Sequence, residues 1–106
     1  MDELVKKLSN GKHAVIFEPR MKELSEIKER LNAGFVFIKF LETQGETELG
    51  INVDHKLTRL SEADLKLGKG ILQLVGTCKL NFTKVRCEAE IDLTSRQGRG
   101  SLEVLN

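Results

Sequence analysis

The sequence predicts an α+β fold in a single domain spanning residues 1–106. We expect a mixed, mostly antiparallel sheet of five or six strands, with a βαβ N-terminal half and a C-terminal meander of three strands. Two observations lead to this prediction. Apolar and polar residues alternate from Ile71 onwards, which is typical of strands with one buried face. Earlier in the chain, two strongly apolar strands flank an amphipathic helix, which is the βαβ pattern.

The meander is predicted from three stretches of alternating residues. The predicted strands are Ile71–Phe82, Lys84–Leu93 and Ser101–Leu105. In the middle strand one face carries Val85, Cys87, Ala89, Ile91 and Leu93, and the other carries Arg86, Glu88, Glu90 and Asp92. Because strand side chains alternate between faces, one side of this sheet should lie in a core and the other in water.

The predicted turns set the register of the meander. A turn after Phe82 would place Cys78 opposite Cys87. A second turn centred on Gln97 and Gly98 would place Leu93 opposite Leu102, with the glycine supplying a positive-φ position.

Four elements are predicted in the N-terminal part of the chain. They are a helix over Asp2–Asn10, a strand over Lys12–Phe17, a helix over Arg20–Asn32 and a strand over Phe35–Leu41. The two strands are expected to be parallel with a right-handed crossover. The strand at Phe35 is apolar on both faces, which indicates burial on both sides, by the first helix or by a second copy of the chain.

The centre of the chain predicts one more strand and a short helix. Thr47–Val53 alternates as a strand, and Ser61 opens a helix that runs to about Leu67. The Gly68-Lys69-Gly70 stretch lacks the remaining residues of a phosphate-binding loop and would precede a strand, so we interpret it as a loop break.

Composition favours a globular protein without a general affinity for polyanions. Hydrophobic residues make up 40% and charged residues 31% of the chain, which argues against disorder, and the net charge is +1. No segment reads as a signal peptide or a membrane span, so we expect a cytoplasmic protein with no membrane partner. In that compartment Cys78 and Cys87 are expected as reduced, buried thiols, with a disulfide as the alternative.

The predicted outer face of the meander carries the candidate binding residues. Glu88, Glu90 and Asp92 form an acidic row, and Glu103 is expected opposite Asp92. Basic side chains lie at both ends of that row: Lys79, Lys84 and Arg86 at one end, and Arg96 and Arg99 on a protruding hairpin tip at the other. The full candidate set is Lys79, Lys84, Arg86, Arg96, Arg99, Glu88, Glu90 and Asp92. A flat sheet face is a poor cage for a divalent cation, so no metal site is predicted.

No catalytic constellation is predicted. Asp54 and His55 are neighbours in a loop, without a nucleophile beside them, and His13 is expected as a core or edge histidine. All five phenylalanines are expected in the core, so base stacking on an exposed aromatic ring is not supported.

Two short segments resemble parts of known families. Ala14–Arg20, the helix after it and the strand at Phe35 resemble the opening of SepF-type cell-division proteins, which are small α/β dimers. That resemblance implies a sheet able to pair with itself. The segment Asp92–Thr94 is similar to the second motif of PilZ-type cyclic-dinucleotide domains, but the glycine comes one residue late and the upstream arginine motif is missing. Neither segment assigns the chain to a family.

We therefore predict a small non-catalytic binding or adaptor module that acts through protein–protein interaction and associates with itself as a homodimer. No cofactor is expected. The alternative is a nucleic-acid or nucleotide binder that uses a basic patch at the hairpin tip, and steep salt dependence would support it. A third hypothesis is a small enzyme with a site shared across a dimer interface.

Overall fold

Six strands and two helices make up the described part of the chain, which comprises residues 3–17, 24–59 and 69–105 of a computed structural model. In chain order the elements are α1 (Glu3–Leu8), β1 (His13–Phe17), α2 (Leu24–Ala33), β2 (Phe35–Phe40), β3 (Thr47–Val53), β4 (Ile71–Leu80), β5 (Thr83–Asp92) and β6 (Gln97–Val104). The start of the helix predicted from Arg20, the short helix from Ser61 to Leu67 and Gly68 lie outside the described residues.

The six strands close into a barrel in which each strand pairs with its neighbours in chain order and β6 returns to β1. Every pairing is antiparallel. The prediction of a mostly antiparallel α+β domain is confirmed, but closure into a barrel was not foreseen. Closure gives every strand of the barrel a paired neighbour on both sides.

The predicted parallel pairing of the two N-terminal strands is wrong. β1 and β2 run antiparallel, with Val15 opposite Phe40 and Phe17 opposite Ile38. Two strands joined by a helix are expected to be parallel when that helix packs on a face of the sheet. Here α2 instead contributes Ile27 and Leu31 to the barrel core, close to residues at the end of β3, so the chain re-enters beside β1 in the opposite direction.

The three-stranded meander is confirmed, and so are its faces. The inward side chains of β4 and β5 are buried, as are Gly100 and Leu102 of β6. The registers differ from those predicted. Cys78 lies opposite Val85 rather than Cys87, and Leu102 lies opposite Cys87 rather than Leu93. Both shifts are by an even number of residues, so every side chain keeps its face.

The turns explain these shifts. The β4–β5 turn uses Asn81 (φ 47°) and Phe82 (φ 68°), which is the double positive-φ geometry of a tight hairpin turn. The β5–β6 turn uses Arg96 (φ 64°) and comes before Gly98, which lies within β6. Phe82 was expected in the core; the structure leaves it 98% exposed at the turn.

One buried cluster fills the barrel, and a helix contributes to it near each end. α1 supplies Val5 and Leu8, and α2 supplies Ile27 and Leu31. Both helices are too short to be stable alone, so their position depends on this apolar contact. Burying two aliphatic side chains contributes roughly 3–6 kcal/mol per helix before the entropy cost of ordering is counted.

Candidate functional site

The outer face of β4, β5 and β6, which we call the charged wall, carries most of the candidate residues. Its cross-strand rows are Gln73–Glu90–Arg99, Val75–Glu88–Ser101, Thr77–Arg86–Glu103 and Lys79–Lys84. Glu88 and Glu90 are alternate residues on the outer face of β5 and are exposed, as the sequence predicted. The register therefore decides which charges they meet on the neighbouring strands.

Opposite charges meet on this wall where the sequence predicted a cluster of four carboxylates. Glu103 faces Arg86 rather than Asp92, with 3.9 Å between Oε2 and Nη1. Nζ of Lys12, the residue before β1, lies 4.0 Å from Oε1 of Glu90 on the far side of β6. Both pairs are solvent-exposed, so each stabilises the fold by less than about 1 kcal/mol. Within residues 3–17, 24–59 and 69–105, no group of three or more metal-ligating side chains is assembled.

Asp92 has a structural role at the end of β5. Its Oδ1 accepts the backbone N–H of Thr94 at 2.7 Å and that of Ser95 at 3.3 Å. Such a carboxylate satisfies backbone donors that would otherwise have no partner in the turn. Asp92 thus shapes the β5–β6 turn and is not a free acidic group of the wall.

The five candidate cations do not form one patch. Lys79 and Lys84 face each other beside the β4–β5 turn, whereas Arg96 belongs to the turn at the opposite end of β5. Eight residues of strand separate the two ends, or roughly 25 Å. The guanidinium of Arg96 donates to the backbone oxygens of Leu93 and Thr94, so it is engaged by its own turn.

Arg99 is not on the hairpin tip, contrary to the prediction. It lies three residues into β6, opposite Glu90, and its Nη2 donates to the backbone oxygen of Lys12 at 3.4 Å. The predicted tip placed Gly98 in the turn, whereas the turn is complete before that glycine. The basic tip is therefore reduced to Arg96.

A shallow depression of about 220 Å³ lies on the charged wall. Its lining includes Lys12, Gln73, Val75, Glu88, Glu90 and Arg99. Both signs of charge are present in this lining. The depression therefore presents charged and polar groups to solvent.

The two histidines occupy different environments. Nδ1 of His13 lies 3.2 Å from Oε1 of Glu42, and its Nε2 lies 2.9 Å from the backbone oxygen of Lys7. His55 is exposed, and the neighbouring Asp54 carboxylate accepts the backbone N–H of Lys56 at 2.9 Å instead of an imidazole proton. The Asp54–His55 neighbourhood is therefore a turn, and His13 is a structural link between α1 and the loop after β2.

An apolar patch lies on the outside of β2. Phe35 is 41% exposed, and its ring packs edge-to-face against Phe37, with 5.1 Å between the ring centroids. Gly50 on β3 faces Phe37, and a Cβ there would lie 2.5 Å from the Phe35 ring. The sequence predicted burial on both faces of this strand and placed all five phenylalanines in the core, whereas here Val36, Ile38 and Phe40 are buried, Phe37 is half-buried and Phe35 is exposed.

Sequence reasoning also missed the exposed ring of Phe82. It extended the alternation of β4 through Phe82 and so treated this residue as buried. The signal that pointed the other way was Asn81, since asparagine is frequent in the positive-φ positions of hairpin turns.

Neither a scan against protein-family models nor a search of curated proteins finds a match to this chain. No helix among the described residues is long and apolar enough to cross a membrane.

Proposed function

We propose that this chain is a small non-catalytic binding or adaptor module that acts through protein–protein interaction and associates with itself. The observation that carries the proposal is the apolar patch of Phe35, Phe37 and Gly50 on the outer wall of the barrel. Aromatic residues, phenylalanine included, are enriched in protein interfaces relative to the rest of the surface.

The surroundings of the patch favour a second copy as the partner. Lys39 on β2 faces Glu48 on β3, and Lys39 also lies 3.7 Å from Glu46. A surface that carries both signs of charge next to apolar rings can be complementary to itself, which a two-fold symmetric dimer requires.

Light scattering over a range of protein concentrations tests self-association. We expect the apparent mass to rise with concentration, and Phe35→Ser to shift this rise to roughly tenfold higher concentration. Phe82→Ser is the matched control, because it removes another exposed phenylalanine outside the patch. A strict monomer at every concentration, or equal effects of the two variants, would contradict self-association through the patch.

Nucleic-acid or nucleotide binding is the second candidate, and the direct opposition of Lys79 and Lys84 favours it. Two like charges side by side are mildly destabilising in the free protein and would be relieved by a phosphate. Fluorescence anisotropy with a labelled single-stranded oligonucleotide tests it. If it is correct, Lys79→Ala with Lys84→Ala weakens binding and reduces its salt dependence, whereas Arg96→Ala with Arg99→Ala does so less.

A further inference from the structure

The barrel closes over very few residue pairs between β3 and β4. These strands pair only at Asn52 with Thr77 and at Val53 with Gly76. By contrast, β2 pairs with β3 along its whole length, and β4 pairs with β5 from end to end. Beyond Asn52 and Thr77 the residues of these two strands are not paired. We call the gap between residues 47–51 of β3 and residues 78–80 of β4 the β3–β4 seam.

The direction of the backbone groups follows from the pairs on either side of the seam. Val53 donates its N–H to Gly34 on the β2 side, so alternate residues of β3, which include Glu48 and Gly50, direct their backbone groups towards β4. On β4, Val75 accepts from Asp54 on the β3 side, so Lys79 directs its groups towards β3. Donors and acceptors of Glu48, Gly50 and Lys79 therefore point into the seam from both sides.

A depression of about 640 Å³ lies at one end of the seam, next to the β2–β3 loop and the β4–β5 turn. Thr47 and Glu48 line it on the β3 side, Leu80 and Asn81 line it on the β4 side, and α1 forms a further wall. Below it, Leu49 and Ile51 are buried, so the seam is a surface channel and does not open into the core.

The lining of the depression is predominantly acidic, whereas the exposed Lys79 lies on the β4 side of the seam. This lining contains Glu3, Glu46 and Glu48, against one cation, Lys7. The ammonium of Lys7 is directed to the backbone oxygen of Glu42 at 2.8 Å, and Lys39 pairs with Glu46. A ligand with basic side chains would find an acidic partner on the β3 side, where Glu48 is exposed and has Lys39 of β2 as its cross-strand neighbour.

We propose that the β3–β4 seam binds an extended, basic peptide segment of a partner protein, which adds to the barrel as a strand between β3 and β4. This inference rests on the proposed role as a protein-binding module. An extended peptide complements the backbone donors and acceptors that the unpaired residues of the two strands present, and alternate side chains determine its specificity. Lysine or arginine side chains next to Glu48 provide the charge complement.

Amide hydrogen exchange measured by NMR tests the free seam. We expect the amides of Glu48, Gly50 and Lys79 to exchange at least tenfold faster than those of Leu49 and Ile51, which face β2. Uniformly slow exchange along β3 would show that the seam is closed and would overturn the proposal.

Titration with a blocked hexapeptide of alternating lysine and valine tests the ligand. We expect shifts centred on the seam amides, slower exchange of Glu48, Gly50 and Lys79, and roughly tenfold weaker binding when alternate backbone nitrogens are methylated. Glu48→Lys should also weaken binding roughly tenfold, whereas Glu88→Lys on the charged wall is the matched control. Equal affinity of the methylated and unmodified peptides would overturn the proposal.

The two proposals fail separately. The peptide titration is carried out at a concentration where light scattering shows one species, so it reports on the seam whatever the oligomeric state. Loss of peptide binding with self-association intact rejects the seam alone. If Phe35→Ser loses self-association and still binds the peptide, the result supports self-association through the apolar patch and is consistent with peptide binding at the seam.

Discussion

Glu42 and His13 join the loop after β2 to the first strand of the barrel: Oε1 of Glu42 lies 3.2 Å from Nδ1 of His13. The same oxygen accepts the backbone N–H of Ala14 at 3.1 Å. On the other side of the imidazole, Nε2 donates towards the backbone oxygens of Lys7 and Asn10. One imidazole therefore connects α1, β1 and the β2–β3 loop.

The Glu42 carboxylate should make stability depend on pH in the acidic range. Its pKa is lowered from the ordinary value of 4.5, chiefly because the ionised oxygen accepts the N–H of Ala14, with a further contribution from His13. A carboxyl with a depressed folded-state pKa stabilises the fold above its unfolded-state pKa, and this stabilisation is lost as the pH falls through the folded-state value. We expect Glu42→Gln to lower the midpoint of thermal unfolding at neutral pH and to lower it by less at about pH 2–3, where more of the carboxyl is protonated. Glu88→Gln is the control, and an equal loss at both pH values would contradict this account.

The two cysteines should react slowly in the folded protein. Burial raises the pKa of the Cys87 thiol to about 12 and also raises the pKa of Cys78. Since the thiolate is the reactive form, a chromogenic disulfide reagent at about pH 8 should modify Cys87 only as fast as the protein unfolds, and Cys78 somewhat faster. Cys78→Ser and Cys87→Ser assign the two phases. Immediate reaction of both thiols in the native protein would be inconsistent with this barrel.

Two glycines of β6 should differ sharply in their tolerance of a methyl group. A Cβ on Gly98 would lie 1.7 Å from the backbone oxygen of Glu90, whereas a Cβ on Gly100 would lie 3.1 Å from the Cβ of Ala89. Backbone cannot yield without breaking the β5–β6 pairing, so we expect Gly98→Ala to destabilise the protein by about 3 kcal/mol or more, and Gly100→Ala by about 1 kcal/mol. Equilibrium unfolding in urea measures both, and similar values for the two variants would refute the close approach at Gly98.

The β4–β5 turn should become more stable when Phe82 is replaced by glycine. Phe82 has a φ of 68°, which is unfavourable for any residue with a Cβ, and its ring is 98% exposed. We expect Phe82→Gly to be more stable than Phe82→Ala by roughly 0.5–1 kcal/mol, because both lose the ring and only glycine relieves the backbone. Thermal unfolding of the two variants decides the matter, and a less stable glycine variant would show that the turn has another conformation.

The alternation of side chains predicted much of the fold but not how the strands are joined. The faces of β4 and β5 follow from the period of two, and Val85 and Ile91 are buried as expected. The period does not specify register, because a shift by two residues preserves every face. The turn residues decide register, and here a phenylalanine occupies a position that usually favours glycine or asparagine.

The same uncertainty in strand register limited the prediction of the candidate site. The residues of the charged wall were predictable from the sequence. The pairing of Arg86 with Glu103 was not, because the β5–β6 register differs by six residues from the one predicted with Gly98 in the turn. Gly98 and Gly100 lie within β6, and the backbone of Glu90 comes close to Gly98. Glycines at this spacing are also typical of a turn, so the sequence does not distinguish the two cases. The β3–β4 seam has no sequence signal at all, since it depends on how far two distant strands remain paired.

The pairing of β1 with β6 has a consequence for synthesis of the protein. His13 lies opposite Gly100, so the ring of strands is complete only when the last strand has left the ribosome. Until then β1 has only its short pairing with β2, and the apolar side chains of the early strands have no closed core to enter. We expect nascent chains that end before β6 to bind chaperones, and release of the last strand to be the step at which the barrel first becomes resistant to proteolysis.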